Sequence, residues 1–147
     1  MTHYQTAAVS KATDTPILKL QRYFERSHIR LQPCDLPSRG SGENRGYSMR
    51  RIRQVGITTE LTWLGIGPSR AAEAAFLFSD QGNPGREVGE LFPLGRTMLV
   101  GFHRGENKVV NVLPDESLDT ILEQNNAAFI VDVGRILTKI NSKMEPK

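Results

Sequence analysis

Apolar positions change rhythm several times along the chain, and each change predicts an element. Residues 1–14 are polar and aperiodic, so positions 1–15 are expected to form a flexible N-terminal tail. Thr15 offers a cap hydroxyl and Pro16 a first helical position without an N–H. Ile17, Leu20 and Phe24 then recur at helical spacing, predicting a helix over about 16–28. Ile29 to Gln32 reads as a short strand, and residues 33–46, with two prolines and three glycines, as the longest loop.

From Tyr47 to Val55 no clean apolar face emerges, because Met49 and Val55 share one side with Arg51 and Arg53; an edge strand fits. Ile57, Thr59, Leu61 and Trp63 then alternate with Thr58, Glu60, Thr62 and Leu64, which predicts a second strand after a joint at Gly56. A helix follows over about Pro68 to Asp80, stopped by Gly82. Residues 83–95 are rich in turn formers, and "RTMLVGFHR" with "KVVNVL" predicts a hairpin around Gly105, Glu106 and Asn107.

Asp115 caps a third helix in this reading, with Leu118, Leu122, Asn125, Phe129, Val133, Ile136 and Ile140 stepping by three or four. One long C-terminal helix is expected, accepting Gly134 inside it at about 1 kcal/mol. The competing reading makes "AAFIVDV" a strand. The fold class is α+β: helix, three antiparallel strands, helix, two-strand hairpin and long helix, in a single domain over 16–142 with a short tail at 143–147.

Composition narrows the class without changing this order. Apolar residues at 38% and charged residues at 24% of 147 are globular values. No apolar run approaches the roughly 18 residues of a membrane span, and the N-terminus lacks a signal-peptide pattern, so the cytoplasm is the expected location. Cys34 is alone, which excludes an intramolecular disulfide and a cysteine-paired structural zinc. Of the net charge of +3, the segment Arg39–Arg53 contributes +4, five arginines against Glu43, and the remainder −1. Arg50, Arg51 and Arg53 are therefore candidate phosphate contacts, with Tyr47 as a stacking platform; charge protecting an edge strand is the other explanation.

The turn Gly65-Ile66-Gly67 invites comparison with a phosphate cradle, yet Arg70 stands where a dinucleotide fingerprint needs its third glycine. Pro68 also removes an N–H from the helix start, so a plain strand-to-helix bend is preferred to binding by Gly65, Gly67, Ser69 and Arg70. His3, His28 and His103 are scattered, and Asp115, Glu116 and Asp119 are explained by helix-start chemistry. No catalytic residue, cofactor or metal is expected, and the chain reads as a non-enzyme.

The element order, "ELTWLGIGPSRAAEAAFLF" and "GRTMLVGFHRGENKVVNVLPDESLDTILEQNNAAFIVDVGRIL" together resemble the small dimeric, effector-dedicated type III secretion chaperones. The likeness covers about residues 16–142 and is carried by apolar positions and turns. It implies a non-enzymatic homodimer that binds the extended N-terminal segment of a secreted effector in the bacterial cytoplasm, without cofactors. It nominates Leu18, Leu31, Met49 and Ile52 for the partner grooves, and Ala72, Ala75, Phe76, Leu77, Met98 and Val100 for the dimer interface. The alternative is a nucleic-acid-binding or regulatory protein that uses the Arg39–Arg53 segment.

Overall fold

The computed structural model describes residues 2–37, 45–103 and 105–144. Its elements are α1 (Thr6–Thr13), α2 (Ile17–Glu25), α3 (Met49–Trp63), α4 (Pro68–Ser79), β1 (Arg96–Phe102), β2 (Asn107–Val112), α5 (Leu118–Leu122), β3 (Ala128–Asp132) and α6 (Val133–Met144). The fold is α+β, with one antiparallel sheet in the order β2-β1-β3. Leu99 pairs with Val109 on one side and Val131 on the other, and these three residues face a core completed by Phe78 and Ala75 of α4 and Val133 and Leu137 of α6. A second core joins Val9, Leu20, Tyr23, Tyr47, Ile52 and Val55, so α3 spans both.

Where two strands were expected between Tyr47 and Leu64, the chain is helical. Ser48 caps α3, its hydroxyl accepting from the Arg51 N–H at 3.3 Å. Every residue from Gln54 to Thr59 is buried, because α1, α4 and α6 all pack against this helix. A helix buried all round has no amphipathic stripe. Its β-branched residues satisfy their hydroxyls internally: Thr58 donates to the Gln54 carbonyl at 2.7 Å. Gly56 admits α6, since a Cβ there would lie 2.7 Å from Ile140 Cδ1.

The ends of the chain also depart from expectation. Residues 6–13, assigned to the tail, form α1 and bury Val9 and Ala12. Ile29 to Gln32 is not a strand; the Ile29 N–H folds back onto the Tyr23 carbonyl at 3.0 Å. The long final helix is instead α5, β3 and α6, which is the competing reading of "AAFIVDV". Glu123 ends α5 with φ 58, and Asp132 Oδ1 accepts from the Arg135 N–H at 3.1 Å, turning the end of β3 directly into α6. Helix α4 and the β1–β2 hairpin lie where the sequence predicts them. Residues 145–147 of the expected C-terminal tail lie outside the described residues.

Candidate nucleic-acid interface

Helices α1 and α2 are short and joined by Asp14, Thr15 and Pro16. Two short helices across a three-residue turn have the connectivity of a helix-turn-helix. Asp14 takes the left-handed conformation, φ 52, and its N–H returns to the Ser10 carbonyl. The turn is fixed from inside by hydroxyls: Thr15 Oγ1 lies 2.7 Å from Thr59 Oγ1 and 2.8 Å from Thr13 Oγ1, while Tyr23 Oη lies 3.0 Å from Thr59 Oγ1. From outside, Lys139 and Lys143 close on the Asp14 carboxylate, 2.8 and 2.5 Å away, and their hydrogen bonds hold its carboxyl below the ordinary aspartate range. The acid of the turn is thereby matched by cations of α6.

Anchored in this way, α2 has two distinct sides. Leu20 and Tyr23 enter the core, whereas Ile17, Leu18, Arg22, Glu25 and Arg26 are exposed and Gln21 is half-buried. Lys19 sits at the flank, its ammonium 4.3 Å from the Trp63 ring centroid and donating to Thr62 Oγ1 at 2.7 Å; burial lowers its pKa. Arg45 lies over Phe24 at 5.2 Å, and Arg30 and Arg50 are exposed.

Beyond α2, an antiparallel bridge joins Leu36 and Gly46 through reciprocal hydrogen bonds of 2.8 and 2.9 Å, and a second joins Tyr4 and Tyr47. Arg39 lies outside the described residues.

The basic character is wider than the Arg39–Arg53 segment. The first 53 residues hold ten lysines and arginines against four acids, net +6; the rest hold nine against twelve, net −3. The positive excess thus belongs to the first 53 residues of the chain, which include α1 and α2, and the remainder is mildly acidic.

The three arginines nominated for phosphate have different situations. Arg50 is exposed. Arg53 is half-buried, donating to the Gly89 carbonyl with Glu90 3.7 Å away. Arg51 is fully buried: Nε donates to Asp35 Oδ2 at 3.0 Å and the two terminal nitrogens to Asp80 at 2.8 and 2.7 Å. A guanidinium sealed between two carboxylates has no surface for a phosphate, so Arg51 is a structural residue. Tyr47 is likewise 1% exposed, its hydroxyl 3.2 Å from Thr6 Oγ1, and offers no stacking platform.

Ile52 is also fully buried, Leu31 and Met49 are half-buried against the helical core, and only Leu18 of the proposed partner groove stands free. Ala72, Ala75 and Val100 have at most 1% exposure and present no face to a second copy; Phe76, Leu77 and Met98 are half-buried. The glycine turn links α3 to α4 as a bend between helices, not between strand and helix, with Gly65 at φ 90. Arg70 turns away from it to the Phe102 carbonyl and the Phe129 ring.

Among the described residues no group of three or more His, Cys, Asp or Glu could hold a metal, and no helix is long and apolar enough to cross a membrane. Cys34 is half-buried with its sulfur 3.4 Å from Ser48 Oγ. Sequence reading missed α1 because it buries only Val9, Ala12 and Thr13, too few to mark a period. Its one available signal was Thr15-Pro16 ahead of the Ile17, Leu20 and Phe24 stripe. Compared with protein-family models and with curated proteins, the chain matches none.

Proposed function

We propose that the chain binds double-stranded DNA by placing α2 in the major groove, the basic module around it engaging phosphates. The observation that carries this reading is the geometry of α2. It is the second helix of a helix-turn-helix, locked on its inner side by Leu20, Tyr23 and the Thr15–Thr59 hydroxyls, and it turns Gln21, Arg22 and Arg26 outward. The second helix of such a motif is the element that enters the groove. Exposed arginines supply both the phosphate attraction and the donors that read guanine. Glu25 is the acidic group on that face, suited to accept from a cytosine amino group.

The chaperone expectation required three strands before the second helix, and that region is helical, so its resemblance no longer supplies support. A homodimer would set two α2 helices on half-sites about 34 Å apart. Phe76, Leu77 and Met98 are the nominated interface residues that retain surface for it.

Joint replacement of Arg22 and Arg26 by alanine is expected to weaken duplex binding at least about ten-fold, the two charge-assisted contacts together exceeding roughly 1.4 kcal/mol. Lys108→Ala, an exposed cation on β2, should leave affinity unchanged. Gel-shift titration with random-sequence duplex measures both. Equal losses from the two substitutions would place binding elsewhere.

A further inference from the structure

Two bulky apolar side chains stand in solvent at the start of α2. Leu18 is 69% exposed and Ile17 46%, while Leu20 and Tyr23 on the other side are essentially sealed. Leu18 sits one turn before Arg22, on the side of α2 that also carries Glu25 and Arg26, and Ile17 sits one turn before Gln21 on the adjoining side. Lys19 does not cover them, since its ammonium is drawn aside onto Trp63 and Thr62.

Resting on the reading that α2 enters the major groove, we propose that Leu18 and Ile17 pack against thymine C5-methyl groups, so that the preferred site presents T·A pairs to the start of α2. In a groove-bound helix-turn-helix the first residues of the second helix meet the base edges. The thymine methyl is the apolar feature of those edges, and cytosine offers an amino donor in its place. A leucine over that donor strips its water and returns no hydrogen bond, so apolar residues here select as well as bind. Charge complementarity favours DNA as the occupant: Arg22 and Arg26 beside Leu18 match phosphates beside the methyl-bearing groove floor. A protein covering the same pair would have to accommodate Arg22 and Arg26 as well.

The test uses the intact chain and duplexes selected by it from a random-sequence library. Each thymine is then replaced by uracil, which removes the methyl and keeps the pairing edge. Wild-type protein is expected to lose about four-fold in affinity for each contacted methyl, the equivalent of roughly 0.8 kcal/mol per buried group. Leu18→Ala is expected to bind the selected duplex more weakly and to be indifferent to uracil at the contacted position. Its melting temperature should match the wild type, because the side chain is exposed. Selected duplexes bound equally well with uracil at every position would overturn the proposal, as would Leu18→Ala retaining the full uracil response. Failure to bind any duplex would instead remove the groove reading itself.

Discussion

Arg51→Met is expected to cost about 3–5 kcal/mol of folding stability, because it leaves the carboxylates of Asp35 and Asp80 buried without their cation. The loss should spread beyond one contact. Asp35 also accepts from the backbone N–H of Gln32 and from both the N–H and hydroxyl of Ser48, the cap of α3, and Asp80 lies at the end of α4. One guanidinium therefore holds the approach to the Leu36–Gly46 bridge, the start of α3 and the end of α4. Urea unfolding should show a lower midpoint for the variant, and Arg51→Lys should recover only part of the loss, since an ammonium cannot bridge both acids in fork geometry.

The same cluster fixes a pH dependence. Burial pushes the Asp35 carboxyl upward, but the Ser48 and Gln32 hydrogen bonds and the Arg51 charge outweigh it, leaving the pKa below its ordinary 3.8. The folded protein thus binds this proton less readily than the unfolded chain. Asp35 contributes its full stabilisation above pH 3.8 and loses it as the pH falls through the depressed folded value. Asp35→Asn should flatten that acid limb of the stability curve.

Arg86→Met is expected to cost about 3 kcal/mol or more, through acceptors left unpaired and not through a lost ion pair. All five guanidinium N–H groups of Arg86 are used. They reach the Leu77 and Phe78 carbonyls in the last turn of α4, the Gln81, Glu87 and Glu90 carbonyls of the following loop, and Asn83 Oδ1. Phe78 lies beneath, 4.9 Å from the guanidinium carbon. Burial lowers the Arg86 pKa, and among the described residues no carboxylate is paired with it. Its compensation is the negative end of the α4 dipole and the ring face. Thermal unfolding should resolve the difference, and Arg86→Lys, with three donors, should fall between wild type and Arg86→Met. A stability loss under 1 kcal/mol for methionine would mean that water replaces these donors.

Arg51 also explains why part of the fold was hidden in the sequence. With Arg51 and Arg53 taken as surface cations, the run from Tyr47 to Val55 shows no apolar face and only the alternation at Ile57 to Leu64 is left to read. With Arg51 recognised as buried, residues 51, 55, 58 and 59 fall on helical spacing, and the β-branched run at Ile57 to Thr59 follows from burial on all sides. Long-range pairing with Asp35 and Asp80, 16 and 29 residues away, leaves no local trace. Helix α4 was legible because Pro68 starts it and alanines fill its buried side, and the hairpin because its turn formers separate two β-branched runs. The C-terminal stripe misled because Phe129 and Val133 fit a period of 3.6 and the residues between them also fit a period of two. Of the candidate site, the excess of arginine was visible, but its centre was not. The segment between Arg39 and Arg53 drew attention to charge, while α2 carries its arginines among apolar residues.

Binding of duplex DNA as a function of salt tests the central claim most directly. The account predicts that log affinity of the intact chain falls linearly with log salt, with a slope of magnitude about 0.9 for each phosphate neutralised. That slope should shrink when Arg22 and Arg26 are both replaced. An affinity that does not change with salt, or no retention of duplex at low salt, would contradict it.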